Sequence, residues 1–155
     1  MDWDNRARRN NEMLKLMEAL FTQEVPSFQG KTVATQDFYF NPKPMQLPHP
    51  PYIIGGNTDA AMKRACRLGG GWYGIAKQLD QALELVKRVR EIEKGYNRAK
   101  PLKLTIGAQW RGTTVDDVRR LEEVGVERVL PSGLVARDSL GALRRVHETV
   151  LSKFR

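Results

Sequence analysis

From Tyr52 onward, apolar positions switch repeatedly between short continuous runs and a helical spacing of three and four residues. Tyr52-Ile53-Ile54 predicts a short strand that ends at Gly55-Gly56. Asn57 or Thr58 can cap a helix to about Leu68, with Ala61, Ala65 and Leu68 inward. Gly69-Gly70-Gly71 stops that helix, and Trp72-Tyr73-Gly74-Ile75 predicts a second strand. A long helix follows over about Gln78 to Tyr96, its stripe running through Leu79, Leu83, Val86 and Val89 or Arg90. Leu102 to Trp110 alternates and predicts a third strand. Thr114 can cap a helix over about 115–124 that Gly125 ends, and Glu127 to Leu130 predicts a fourth strand. Asp138 or Ser139 caps a last helix with Leu140, Leu143, Val146 and Val150 inward.

The preceding segment has a different character. Over residues 10–21, Met13, Leu14, Met17, Leu20 and Phe21 share one side of a helix. Residues 22–51 then hold Pro26, Pro42, Pro44, Pro48, Pro50 and Pro51, and proline's fixed φ and missing amide exclude a long helix. Within this Pro-rich excursion, Lys31 to Phe40 is rich in Thr, Val and aromatic residues and predicts a short strand or hairpin.

Strand and helix thus alternate four times, and such alternation implies parallel strands joined by helical crossovers. The first helix has no strand before it. A complete (β/α)₈ barrel needs roughly 200 to 250 residues, and the chain has 155. The expected fold is α/β: a partial TIM-type barrel of about four parallel βα units in one truncated domain over residues 1–155.

Composition narrows the function classes. Apolar residues make up 41% and charged residues 28%, a globular balance. No apolar run approaches the ~18 residues that span a bilayer, and the Arg-rich stretch from Met1 to Asn11 lacks the apolar core of a secretory signal. The single cysteine, Cys66, excludes an internal disulfide and agrees with a reducing cytoplasm. A net charge of +8 permits nucleic-acid binding. The cations, however, lie mostly in helical stretches interleaved with acids, as in Glu84-Lys87-Arg88-Glu91, the pattern of solvated helix faces.

Candidate chemistry concentrates in two glycine turns. At Ile53-Ile54-Gly55-Gly56-Asn57-Thr58 a strand runs into glycines and a helix begins at once. Glycines admit a ligand close to the backbone, and the helix N-terminus offers unpaired amides and partial positive charge, which suit a phosphate. Neither a Walker lysine nor a third dinucleotide-fingerprint glycine follows, so a plain tight turn is the competing reading. Gly69-Gly70-Gly71-Trp72-Tyr73-Gly74 repeats the pattern one unit later: Gly69 reads as a helix cap, while Gly74 fits either a phosphate-facing strand end or a packed aromatic strand. His49 and His147 have no carboxylate or cysteine at metal-ligand spacing. Cys66 reads as a packed thiol, and Ser132 and Ser139 carry no motif. No residue makes a general acid or base by spacing, and no metal site is expected.

The run Pro42-Lys43-Pro44-Met45-Gln46-Leu47-Pro48-His49-Pro50-Pro51-Tyr52-Ile53-Ile54-Gly55-Gly56 resembles the luciferase-like monooxygenase superfamily. So do Ala60-Ala61, Arg64-Ala65 and Leu68-Gly69 at their spacing, then Gly71-Trp72. Upstream, Arg8 to Leu20 and Phe28 to Lys31 resemble the family's helix and the turn after it; downstream, Gly125-Val126 and Arg128 to Leu130 resemble its last segment. The resemblance covers about residues 6–150 and is similar to the C-terminal half of such enzymes, nearest their deazaflavin-dependent branch. Where the family commonly has Asp-Gly-Trp, this chain has Gly70-Gly71-Trp72. The resemblance implies a barrel binding FMN or an 8-hydroxy-5-deazaflavin coenzyme at its strand ends. It assigns Gly55 and Gly56 to the cofactor phosphate through backbone amides, with Gly74 and Ile75 approaching from the neighbouring strand.

Three functions follow as expectations. The first is a flavin- or deazaflavin-dependent oxidoreductase or monooxygenase, completed by homo-oligomerisation or by a chain carrying the N-terminal half-barrel. The second is a non-catalytic, structural or binding half-barrel. The third is a basic nucleic-acid-binding module.

Overall fold

The computed structural model describes residues 4–36, 39–110, 112–131 and 138–154. The chain contacts cluster into two compact units, one running through Tyr52 and the other beginning at Ile53.

The first unit is built on helix α1 (Arg6–Thr22), followed by strands β1 (Phe28–Gln29) and β2 (Ala34–Thr35). Of the stretch Lys31 to Phe40 only β2 is a strand among the described residues, and its partner β1 lies before that stretch: Phe28 pairs with Thr35 and Gln29 with Ala34, antiparallel. Its turn is held by Glu12 of α1, whose carboxylate accepts from the Thr32 amide at 2.7 Å, the Thr32 hydroxyl at 2.6 Å and the Val33 amide at 3.3 Å. The Lys43 ammonium donates to the Leu20 and Gln23 carbonyls at 2.8 and 2.6 Å, satisfying acceptors that the end of α1 leaves open. His49 stacks on Tyr52 with ring centres 4.4 Å apart, and Phe21 lies against His49 and Phe40. The α1 stripe is less enclosed than its spacing predicts. The buried residue of α1 is Ala19, outside that stripe, and Met13 and Met17 are exposed; among the described residues this unit has no second helix or broad sheet.

The second unit is a sheet with helices. Its strands are β3 (Ile53–Gly55), β4 (Gly71–Ala76), β5 (Lys103–Ala108) and β6 (Val126–Pro131). Between and after them run α2 (Asp59–Leu68), α3 (Leu79–Lys94), α4 (Val115–Glu123) and α5 (Ser139–Thr149). The strands lie in the order β3-β4-β5-β6, every neighbouring pair parallel. These are the four parallel βα units of a partial barrel. Parallel strands that neighbour each other in chain order, joined by right-handed crossovers, place the connecting helices α2, α3 and α4 on the same face of the sheet.

Burial follows that rule. The register aligns Ile54, Trp72, Leu104 and Val126 in one row and Gly74, Ile106 and Val129 in another. These rows face the helices, and Trp72, Leu104 and Ile106 are fully buried there with Met62, Ala65, Val89 and Leu121 from the helices. Each such large side chain contributes about 1.5–3 kcal/mol of transfer free energy. The alternate rows hold Ile53, then Gly55, Tyr73, Thr105 and Arg128, then Ile75, Gly107 and Leu130. On this opposite face Ile53, Ile75 and Leu130 are 43, 37 and 47% exposed. In a closed barrel the corresponding face lines the interior.

The helix ends match the sequence signals. Thr58 caps α2 through Ala61, Thr114 and Asp117 form a reciprocal capping box on α4, and Asp138 caps α5 through Gly141. Gly125, at φ +83°, makes the turn into β6. One expectation is corrected: in α5 the buried positions are Ala142 and, just past its end, Val150, while Leu140 and Leu143 are 61 and 49% exposed. Among the described residues α5 packs mainly on the following turn, Leu151–Lys153, rather than on the sheet, which leaves Leu140 and Leu143 uncovered. In α3, likewise, Ala82 joins Val86 and Val89 in the core, and Leu79 and Leu83 are half-buried.

Candidate functional site

All four strands of the sheet are parallel, so their last residues, Gly55, Ala76, Ala108 and Pro131, lie at the same end of the sheet. Charged groups tie down the opposite end. Arg98 donates to the Cys66 and Gly69 carbonyls at the C-terminal end of α2, and Arg90 reaches the Leu102 and Gly125 carbonyls at 3.1 and 3.3 Å. Glu93 binds Arg90 at 2.6 Å and accepts the Leu102 amide at 2.5 Å. This network fixes the strand starts. Sequence periodicity placed Arg90 and gave no sign of Arg98, whose contacts to the Cys66 and Gly69 carbonyls join segments far apart in the chain.

Gly56 follows β3 at φ +126°, a conformation that side chains rarely adopt, and an added Cβ would lie 2.9 Å from that of Ala61. Its amide donates to the Tyr73 carbonyl at 3.1 Å, and its carbonyl accepts from the Trp72 indole N–H at 2.8 Å. The backbone polar groups of Gly56 are therefore both engaged. Gly55 differs: an added Cβ would meet only Tyr73, at 3.7 Å or beyond, leaving its near side open. The next residue, Asn57, reaches across to β4. Its side-chain amide donates to the Ile75 carbonyl at 2.6 Å and accepts from the Ile75 amide at 3.1 Å. Gly55, Gly56 and Ile75 thus come together around this turn.

Gly74 lies elsewhere. It sits in a helix-facing row, where a Cβ would come within 2.1 Å of the Trp72 ring. Its lack of a side chain is accounted for by the indole.

The turn leads directly into α2. Thr58 takes the Ala61 amide at 3.3 Å, and the Met62 amide donates to the Thr58 carbonyl at 3.0 Å. The amides of Asp59 and Ala60 precede these bonds at the positive end of the helix. The Asp59 carboxylate is drawn aside by Arg88 of α3, which donates to it from Nε at 3.0 Å and from Nη2. That hydrogen bonding holds the Asp59 carboxyl below its ordinary range. A glycine cradle, free helix-start amides and a carboxylate turned away fit a phosphate group.

The remaining candidates have structural surroundings. Cys66 is buried in α2, and burial pushes its thiol pKa up, the opposite of an activated nucleophile. His49 lies in the aromatic stack of the first unit, with Nδ1 2.8 Å from the Pro50 carbonyl. Among the described residues there is no cluster of three or more His, Cys, Asp or Glu that could hold a metal. Ser132 lies outside the described residues. Two aromatic groups near the strand ends escaped the sequence reading: Tyr73, whose phenol lies across Gly107, and Trp110, whose indole N–H donates to Asp117 at 3.2 Å. Among the described residues no helix is long and apolar enough to cross a membrane.

The fold is similar to that of two monooxygenases of known structure. The folds of the monooxygenase RslO1 from Streptomyces bottropensis and the EDTA monooxygenase EmoA from Chelativorans sp. BNC1 match 99 and 98% of the chain, with TM-scores of 0.56 and 0.55 at 18 and 15% identity. The chain covers 44 and 46% of them. In sequence it is 34% identical over 131 residues to an uncharacterised protein of Mycobacterium tuberculosis, 81% of this chain and 42% of that one. It is 34% identical over 88 residues to the FMNH2-dependent dimethylsulfone monooxygenase of Pseudomonas putida, 52% of this chain and 24% of that enzyme. The chain therefore spans less than half the length of these relatives. The sequence model of the luciferase-like monooxygenases matches residues 1–128. With its parallel half-barrel and its glycine turn at the strand ends, the chain belongs to the luciferase-like monooxygenase family.

Proposed function

We propose that the chain forms the phosphate-binding half of a flavin-dependent monooxygenase and that reduced FMN is its cofactor. The observation that carries this reading is the Gly55-Gly56 turn, joined to the end of β4 and opening onto the α2 N-terminus. The FMNH2 dependence in the name of the Pseudomonas putida relative favours FMN over an 8-hydroxy-5-deazaflavin coenzyme. Gly55 and the start of α2 hold the phosphate, with Ile75 fixing the neighbouring strand end and Gly74 admitting the indole that supports the turn. Bound flavin supplies the redox chemistry, and the protein binds and orients it.

The isoalloxazine and substrate contacts lie on the barrel-interior face, of which this chain supplies four strands. The exposed Ile53, Ile75 and Leu130 and the two edge strands β3 and β6 call for a covering half-barrel. A second copy or a chain bearing the complementary half fills that role. The nucleic-acid reading is weaker, because Arg88, Arg90, Lys94 and Arg98 are engaged in ion pairs or with carbonyls of the fold.

Fluorescence titration of the purified chain with FMN and with the deazaflavin coenzyme, beside analytical ultracentrifugation over the same concentrations, tests this reading. FMN binding that strengthens as the chain assembles is the expected result. A stable monomer that binds neither cofactor removes it and leaves a structural half-barrel.

A further inference from the structure

Gly56 provides the last backbone rung between β3 and β4, its amide donating to the Tyr73 carbonyl at 3.1 Å. The chain then turns at φ +126° and leaves the sheet for α2. The next rung on β4 belongs to Ile75, whose amide and carbonyl have no continuing β3 backbone to meet. Asn57 fills both places with one group, donating to the carbonyl at 2.6 Å and accepting from the amide at 3.1 Å. A carboxamide carries the same donor and acceptor as a peptide unit. Aspartate has only acceptors, leucine has neither, and glutamine adds a methylene that displaces the contact. The sequence alone allowed Asn57 to be a helix cap; Thr58 takes that role, and Asn57 is free to bridge.

We propose that Asn57 is a positioning residue for the cofactor phosphate: its carboxamide fastens the Gly56 turn to β4 and so fixes the helix-start amides of α2. The inference rests on the phosphate reading of the preceding section and adds a residue that acts through the backbone. Three restraints hold the turn together: the Tyr73 carbonyl, the Trp72 indole and the Asn57 bridge. The first two bind Gly56 itself. Only the third lies between the turn and the helix, so it controls the direction of the amides that follow. Without it, the amides of residues 57–60 move relative to Gly55, and a site that depends on several donors converging on one anion loses its geometry.

The experiment compares FMN with riboflavin, which has the same ring and lacks the phosphate. Each is titrated into the full chain and into its Asn57→Ala and Asn57→Asp variants, with thermal melts to confirm folding and amide hydrogen exchange at Ile75 to report the bridge. The expected result is a parent that prefers FMN, and variants in which FMN affinity falls about tenfold or more, the scale of one lost hydrogen bond to a charged group. Riboflavin affinity should stay within about twofold, and exchange at Ile75 should quicken. A merely structural role would weaken both ligands alike. A folded Asn57→Ala variant with the parent's ratio of FMN to riboflavin affinity overturns the assignment of Asn57 while leaving the phosphate site intact. A parent with no preference for FMN overturns the phosphate reading and the role of Asn57 with it.

Discussion

The Trp72 indole lies across Gly74, two residues later on the same strand, so closely that any Cβ there would stand 2.1 Å from the ring. The same indole donates its N–H to the Gly56 carbonyl at 2.8 Å. A fully buried core residue thus connects the helix-packed side of β4 with the turn at its neighbour's end. The first prediction concerns this pair. Gly74→Ala forces the indole or the strand to shift and should destabilise the fold by about 1–3 kcal/mol, the usual cost of overpacking. Urea denaturation measures it, and a variant as stable as the parent would contradict the close packing.

Gly56 gives the second prediction. Any side chain meets both the positive φ and Ala61, and Gly56→Asp adds a carboxylate beside the proposed phosphate site. FMN binding to the completed barrel should weaken by at least ~1–3 kcal/mol. Lys63→Ala, on the exposed side of α2, should change it little. Gly55→Ala, with ordinary contact only at 3.7 Å, should fold as the parent does. Fluorescence titration of each variant checks the ordering; equal FMN affinity in folded Gly56→Asp would sink the role of this turn.

Arg98 carries the third. It is the donor for the Cys66 and Gly69 carbonyls where α2 gives way to β4, and its side chain is 19% exposed. Arg98→Ala leaves these acceptors and Glu93 without that donor and should cost about 1–3 kcal/mol. Arg98→Lys should recover little of this, because one ammonium cannot reproduce the fork of the guanidinium. Equilibrium unfolding of the two variants is the measurement, and full recovery by lysine would reduce the role of Arg98 to its charge.

Acid provides the fourth. The Glu12 carboxyl is lowered from 4.5 to about 2, first by the Thr32 hydroxyl and then by the Thr32 amide. A depressed carboxyl pKa means that the folded chain binds fewer protons than the unfolded one between those values. Its stabilising effect is therefore complete above about 4.5 and fades as pH falls through about 2. Glu12→Gln should melt lower than the parent at pH 7, and the gap should narrow towards pH 2. Thermal melts across that range decide the matter, and a gap independent of pH would show that Glu12 acts by packing alone.

Local signals in the amino-acid sequence were enough for the order of elements and most of their boundaries. Thr58, Thr114 and Asp138 cap the helices that follow them, because capping depends on residues three positions apart and on little else. The alternation of runs and helical stripes implied parallel strands for the same reason: a crossover is the only connection that such spacing permits. The glycines at 55 and 56 were visible as a turn between strand and helix. Contacts between distant segments were not visible. Leu140 and Leu143 have the spacing of a buried stripe, yet whether a stripe is covered depends on a neighbour, and among the described residues α5 packs mainly on the turn that follows it. Gly74 could read as open to a ligand or closed by packing until the Trp72 ring was placed in space. Asn57 looked like a cap because its partner, Ile75, lies 18 residues away and is reached only when β3 and β4 pair. Periodicity records which face a residue occupies; only tertiary structure decides what, if anything, lies opposite that face.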